Sequence, residues 1–350
     1  MKIRKMIALC LAVAMIGTLV GCGEAKTADT SATETETETA TEEVAEEAAA
    51  EAPVAADGQT FTVGICQLVQ HPALDAASQG FQDALKEKLG DSVTFDYQDA
   101  SGETANCATI INGFVSSDVD LIMTNATPPL QAAASATNTI PVLGTSVTDY
   151  ATALEIADWT GVVGNNISGT SDLAPLDQQA AMLNELFPDA KEVGLLYCSA
   201  EANSVYQCTE VEKYLKEYGY NVTWYAFTDT NDVASVSQKA ADASDVLYIP
   251  TDNTAAANAE AIANVVLPAG VPVIAGEEGI CSGCGTATLS ISYYDIGYTT
   301  GEMAYEILVN GADVSQMPIQ YAPKVTKEFS AKNVEALGVK IPDDYVAIAE

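Results

Sequence analysis

The chain has 350 residues, with 49 Asp and Glu against 14 Lys and Arg, a formal net charge of -35 and a single histidine, His71. That balance argues against nucleic acid as a partner, because phosphate binding needs a basic surface. The only arginine is Arg4, so the rest of the chain has no bidentate guanidinium clamp, and an anionic ligand group must be held by backbone N–H, hydroxyls, amides or a lysine.

Lys2, Arg4 and Lys5 precede a run over residues 6–20 that is apolar except for Thr18. The run is shorter than the roughly 20 apolar residues of a bilayer crossing and reads as a secretory signal peptide. Ending in Leu19-Val20-Gly21-Cys22, it resembles a bacterial lipoprotein signal. Residues 1–21 would be cut away, leaving Cys22 lipidated and the protein anchored at the extracytoplasmic face of the bacterial cell membrane. An ordinary signal peptide, with Cys22 incidental, is the alternative. Residues 22–58 follow as the lipidated cysteine and an acidic tether. From Glu24 to Gly58 there are 11 acidic residues against Lys26 alone, a composition too poor in large apolar side chains to offset the entropy of ordering.

Beyond the tether lie about 290 residues, more than one core usually spans, and they alternate strand and helix. FTVGICQ reads as a buried strand. ALDAASQGFQDALKEKLG reads as a helix, with Leu74, Ala77, Phe81, Leu85 and Leu89 on one face and Gly90 as its stop. SVTFDYQ, VDLIMTN and IPVLGTS supply three more strands with helices between them. After a passage through TGVVGNNISGTSD the rhythm restarts: strands KEVGLLYC, YNVTWYAF, SDVLYIP and VPVIAG alternate with helices, one of them predicted over the whole of NTAAANAEAIANVVLPAG. TATLSISYYDIGYTTGEMAYEILVNG offers one more strand and helix, expected to return to the first lobe, and AKNVEALGVK a last short helix. The predicted fold class is α/β, two Rossmann-like lobes with parallel sheets. The first lobe is expected over 59–163 plus about 287–310, the second over 164–286 plus about 311–350.

In such sheets ligands bind beyond the carboxyl ends of the strands. The turns there, QLVQHPALD, NATPPL, TSVTDY, CSAEANSVYQ, PTDNTAAAN and GEEGICSG, are rich in hydroxyls, amides and Asp. At any one position the same residues serve equally well as helix caps; the argument for a site is that six such turns face one cleft. Six cysteines follow the tether: Cys66, Cys107, Cys198, Cys208, Cys281 and Cys284. An exported protein allows them to form disulfides, in any of 15 pairings. Cys281-Ser282-Gly283-Cys284 has no second ligand pair at zinc spacing and lies in a Gly-rich loop, so a local disulfide or two free thiols is expected, with no metal. There is no nucleophile elbow, P-loop or dinucleotide fingerprint, and a lone histidine must serve any triad, so neither an enzyme nor a cofactor is expected.

The segments HPALDAASQGF, ATPPLQA, TSVTD, YCSAEANSV, YIPTDNT and SYYDIGYTTGEMA, in that order behind a lipoprotein-like signal, resemble the substrate-binding components of ABC importers, the aromatic amino acid (tryptophan or tyrosine) subfamily above all. The resemblance implies a type I periplasmic-binding fold with a three-segment hinge near 161–166, 286–292 and 310–322. The protein would be a monomer delivering its ligand to permease and ATPase subunits. Ser292 stands where relatives often carry an acidic residue. The ligand implied is a zwitterion, with Thr127, Ser146 and Thr148 on its carboxylate, Asp252 or Asp149 on its ammonium, and Asn203, Ser204 and Asn253 completing the hydrogen bonds. Gln70 and His71 would contribute from the first turn. Tyr150, Tyr197, Tyr293 and Trp159 are candidates for an apolar wall. A sugar- or nucleoside-binding protein, or a sensor, of the same fold is the alternative.

Overall fold

The computed structural model describes residues 58–349; the signal peptide, Cys22 and nearly all of the acidic tether lie outside them. Parallel strands covered on both faces must be apolar throughout, and β1 (Phe61–Gln67) is buried at every position but Thr62. It leads through α1 (Pro72–Leu89) to β2 (Val93–Asp99) and through α2 (Thr104–Ser116) to β3 (Leu121–Asn125). Next come α3 (Thr127–Ala136), β4 (Val142–Thr145), the one-turn α4 (Tyr150–Ala153) and β5 (Ile167–Ser171). Pro72 fits the first position of α1, where no N–H is needed, and Gly90, at φ 55, stops it.

The second series runs α5 (Leu176–Leu186), β6 (Glu192–Cys198), α6 (Ala202–Glu217), β7 (Asn221–Phe227), α7 (Val233–Ala241) and β8 (Val246–Ile249). It continues with α8 (Asn253–Ala257), α9 (Ala259–Ala269), β9 (Val273–Ala275), α10 (Glu278–Gly283) and β10 (Ala287–Ser290). α11 (Tyr293–Leu308), β11 (Gln320–Tyr321), β12 (Thr326–Phe329), α12 (Ala331–Leu337) and β13 (Val346–Ala347) complete the described chain. The strands form a six-stranded sheet ordered β11-β5-β4-β3-β1-β2 and a seven-stranded sheet ordered β13-β12-β10-β9-β8-β6-β7. All ladders are parallel except β10 with β12. The α/β class with two lobes therefore holds.

Strand pairing divides the lobes differently from the sequence-based boundaries. Residues 167–171, placed there in the second lobe, form β5 beside β4 in the first sheet. Residues 287–290, placed in the first lobe, form β10 beside β9 in the second, and Gln320 and Tyr321 pair back onto β5. The chain changes sheets at 172–175, 291–292 and 322–325, so of the three expected hinge segments 286–292 contains a crossing, 310–322 ends where the third crossing begins, and 161–166 contains none. The segment 161–166 instead edges the first lobe, where Val162 bridges Pro318. ISGTS escaped notice because Ser, Gly and Thr are the composition of a loop; it is a strand because β4 and β11 pair with its two edges and α11 packs on it.

α1 packs along α11, which returns to the first lobe as expected. The approach is close enough that a Cβ at Gly297 would lie 2.0 Å from the Ala77 carbonyl oxygen. The predicted helix over residues 253–270 is two helices, broken at Asn258. Cys281 and Cys284 sit on α10 and at its end, where a loop was expected. All six cysteines of the described residues are buried free thiols, so the structure carries no local disulfide at 281–284.

Candidate functional site

The carboxyl ends of both sheets face one another across the gap between the lobes. On the first lobe, the turn after β3 places Ala126 at φ 100 and the turn after β4 places Ser146 at φ 54. Left-handed backbone at two non-glycine residues is strain that surrounding structure must hold, and such strain gathers at functional sites. Thr127, Ser146 and Thr148 are buried. Beside them Asp172, the first residue after β5, is 3% exposed and accepts a hydrogen bond from the Tyr293 hydroxyl at 3.0 Å. Burial pushes the Asp172 carboxyl up to about 6, only partly opposed by the Tyr293 and Thr148 hydroxyls.

On the second lobe Glu201, the residue before α6, ties together the starts of α6 and α8. Its carboxylate accepts from the side chain of Asn203, from the backbone and side chain of Asn253 and from both N–H and hydroxyl of Thr254. Asp252 is committed otherwise: one oxygen accepts from Cys198 N at 2.6 Å and the other caps α8 through Ala255 N at 2.8 Å, with the Ser204 hydroxyl beside it. Burial and the neighbouring Glu201 raise its carboxyl. Glu277 caps α10 through Gly279 N and Ile280 N, and burial lifts it to about 7.

Two side-chain hydrogen bonds reach across the gap. His71 Nε2 lies 3.3 Å from Asn253 Oδ1, and the Tyr293 hydroxyl reaches the Thr251 side chain as well as Asp172. Within this region His71 Nδ1, Ser146 Oγ, Asp172 Oδ1 and Asn203 Oδ1 are buried without a hydrogen-bond partner. Buried polar atoms are nearly always paired, so a cluster of four at one gap marks a place built for a polar molecule. A groove of about 700 Å³, lined by Pro72, Ala76, Glu277, Tyr293 and Glu328 among others, opens on the α11 side. A cavity of about 270 Å³ lies between Val69 and Pro128 on one lobe and Glu201 and Asn253 on the other. Among the described residues no group of three or more His, Cys, Asp or Glu is placed to hold a metal, and no helix is long and apolar enough to cross a membrane.

Of the residues expected from the sequence, His71, Thr127, Ser146, Thr148, Asn203 and Asn253 come to this gap. Gln70, between Val69 and His71, is exposed, and Gln67 turns inward to Asp75 and Ser78. Asp149 is half-buried and caps α4 through Thr152 N, so neither it nor Asp252 offers a free buried oxygen; Ser204 serves Asp252. Of the aromatic candidates Tyr293 is in place. Tyr150 is core, donating to the Thr170 carbonyl. Tyr197 packs edge-on against Trp224, and Trp159 leans on the first-lobe core. Sequence reasoning missed Asp172, Glu201, Thr251 and Glu277. Each is nevertheless the first to third residue after a strand, the position that nominated the others.

The chain matches the family described as ABC transporter substrate binding protein over residues 62–350. It is 36% identical over 260 residues to a tyrosine-binding protein of Clostridioides difficile strain R20291, covering 73% of this chain and 75% of that one. Among solved structures it is similar to an ABC domain from Streptococcus pneumoniae in complex with L-tryptophan, at TM-score 0.78 and 30% identity over 81% of this chain and 97% of that one. It is also similar to the ligand-free, open structure of a substrate-binding protein with adhesive properties from Clostridium difficile, at TM-score 0.63 and 34% identity over 83% and 99%.

Proposed function

We propose, on the premise that this chain belongs to the ABC transporter substrate-binding protein family, that it captures a free aromatic amino acid between its lobes and hands it to a permease. The observation that carries the amino acid reading is the set of unpartnered buried atoms. Asp172 Oδ1 and Asn203 Oδ1 can only accept, and a buried carboxylate with an unpartnered oxygen suits an ammonium. Ser146 Oγ, with Thr127 and Thr148, offers hydroxyls to the carboxylate at the other end, consistent with a domain that has no arginine. Asp172 thus takes the ammonium role that the sequence suggested for Asp252 or Asp149. The aromatic side chain is supported by the tyrosine-binding relative and the tryptophan-bound neighbour, and by Tyr293 at the gap. It is a binding protein and no enzyme, working outside the cytoplasm as its family does. We place it as a monomer on the membrane through a lipid at Cys22, which an intact-mass measurement of the mature protein and a Cys22→Ala variant released from the membrane would test.

A thermal-shift screen of all twenty amino acids, sugars and nucleosides tests the ligand. At a hundredfold excess over Kd a true ligand adds about 2.7 kcal/mol to apparent stability, and L-tyrosine or L-tryptophan is expected to give the largest shift. No response to either refutes the assignment.

A further inference from the structure

Glu201 and Asn253 together settle where the proton of the only histidine sits. Glu201 Oε2 accepts from Asn253 Nδ2 at 2.6 Å, Asn253 N at 3.1 Å and Asn203 Nδ2 at 3.2 Å, and Oε1 accepts from Thr254 N at 2.9 Å and Thr254 Oγ1 at 2.8 Å. A carboxylate surrounded by five donors accepts only, so the Asn253 amide must present its nitrogen to Glu201. Its oxygen is then left facing the other lobe, where His71 Nε2 lies 3.3 Å away. An amide oxygen cannot donate, so Nε2 carries the hydrogen of that bond. Burial of His71 disfavours the imidazolium, against the pull of Asn253, Glu201 and Asp75 around it. In a neutral ring protonated at Nε2, Nδ1 is a bare lone pair, and this atom is buried and without a partner in a side chain only 7% exposed.

We propose that Glu201 is a positioning residue: acting through Asn253, it fixes His71 in the Nε2–H tautomer, so that Nδ1 accepts a hydrogen bond from an N–H or O–H of the bound ligand. The part concerning the ligand rests on the amino acid reading above; the part concerning the tautomer does not. The chemistry selected is a donor at that point, such as a phenol hydroxyl, an indole N–H or an ammonium. A ligand presenting an acceptor there faces lone pair against lone pair. Glu201 need not touch the ligand to exert this selection, because it decides which end of an amide the histidine meets.

Because His71 is the sole histidine, isotope-labelled histidine gives one ring and one nitrogen NMR pattern, free of overlap. The full chain is titrated with L-tyrosine at neutral pH while calorimetry follows binding. The wild type is expected to show the neutral Nε2–H pattern, with Nδ1 moving as it accepts a hydrogen bond. In Glu201→Gln the amide at 201 can turn Asn253 around. The pattern should shift towards Nδ1–H and affinity should fall roughly tenfold, the size of one buried hydrogen bond reversed in sense. The double exchange Glu201→Gln with Asn253→Asp returns an acceptor to Nε2 and should restore the Nε2–H pattern. If Gln at 201 prevents folding, Asn253→Leu decides on the unliganded protein: with the acceptor gone, the Nε2–H share must fall below that of the wild type, and an unchanged share overturns the inference. Tyrosine bound to the wild type with Nδ1–H or imidazolium overturns the inference and leaves the amino acid reading standing, as does a folded Glu201→Gln with an unchanged pattern. Failure of tyrosine and tryptophan to bind overturns the amino acid reading instead. The tautomer is then decided on the protein alone, where any pattern but Nε2–H refutes it.

Discussion

Asp172→Asn should make the unliganded protein more stable while removing most of its affinity. The carboxyl is buried, Oδ2 accepts from Tyr293, the Thr148 hydroxyl lies beside the group, and Oδ1 has no hydrogen-bond partner. Its value is raised to about 6 against 3.8 in the unfolded chain, which corresponds to about 3 kcal/mol. The sign follows from linkage: the folded state binds the proton more tightly, so the penalty is absent below the unfolded value, grows through the interval and is complete at neutral pH. Asn keeps the shape and an oxygen for Tyr293 without the charge. For a domain of this size the gain corresponds to a rise in Tm of about 5 °C. Binding responds in the opposite direction, since truncating one partner of a buried charge pair costs about 2–5 kcal/mol, a loss of at least roughly 30-fold for L-tyrosine or L-tryptophan. Calorimetric unfolding without ligand and titration calorimetry with it measure the two effects on the same sample. A Kd changed by less than about threefold removes Asp172 from the ammonium site. A fall in Tm shows that the carboxylate stabilises the empty protein and refutes the energetic argument.

The same group predicts a pH dependence of binding. An ammonium needs the carboxylate, so below pH about 6, where the proton competes for Asp172, Kd should rise by about tenfold per pH unit, with proton release on binding detectable in buffers of differing ionisation enthalpy; a flat profile down to pH about 5 excludes Asp172. Gly297→Ala places a Cβ 2.0 Å from the Ala77 carbonyl oxygen and should destabilise the first lobe by about 3 kcal/mol, because rigid helix backbone has to move. Gly113→Ala, inside α2 with nothing within 4 Å of the new methyl, should instead stabilise by about 0.5–1 kcal/mol in thermal or urea unfolding.

The strands and helices with strong period were legible, because apolar runs such as FTVGICQ and the Leu74 to Leu89 face of α1 admit one reading. β5 was not, since the pairing that makes ISGTS a strand comes from β4 and β11, the latter about 150 residues further along. The site was legible as a set of turns, but the sequence alone left open which acidic side chains stay free. Asp252 and Asp172 both follow a strand closely. After Asp252 a helix opens at the next residue, and its N–H groups together with Cys198 N consume both oxygens. After Asp172 come Leu173, Ala174 and Pro175 before α5 begins, so no helix start lies within reach of its carboxylate. An acidic residue that follows a strand without a helix directly behind it is therefore the one left for a ligand. His71 obeys the same logic. It occupies the cap position of α1 yet makes no capping bond, and the side chain so released reaches across the gap to Asn253.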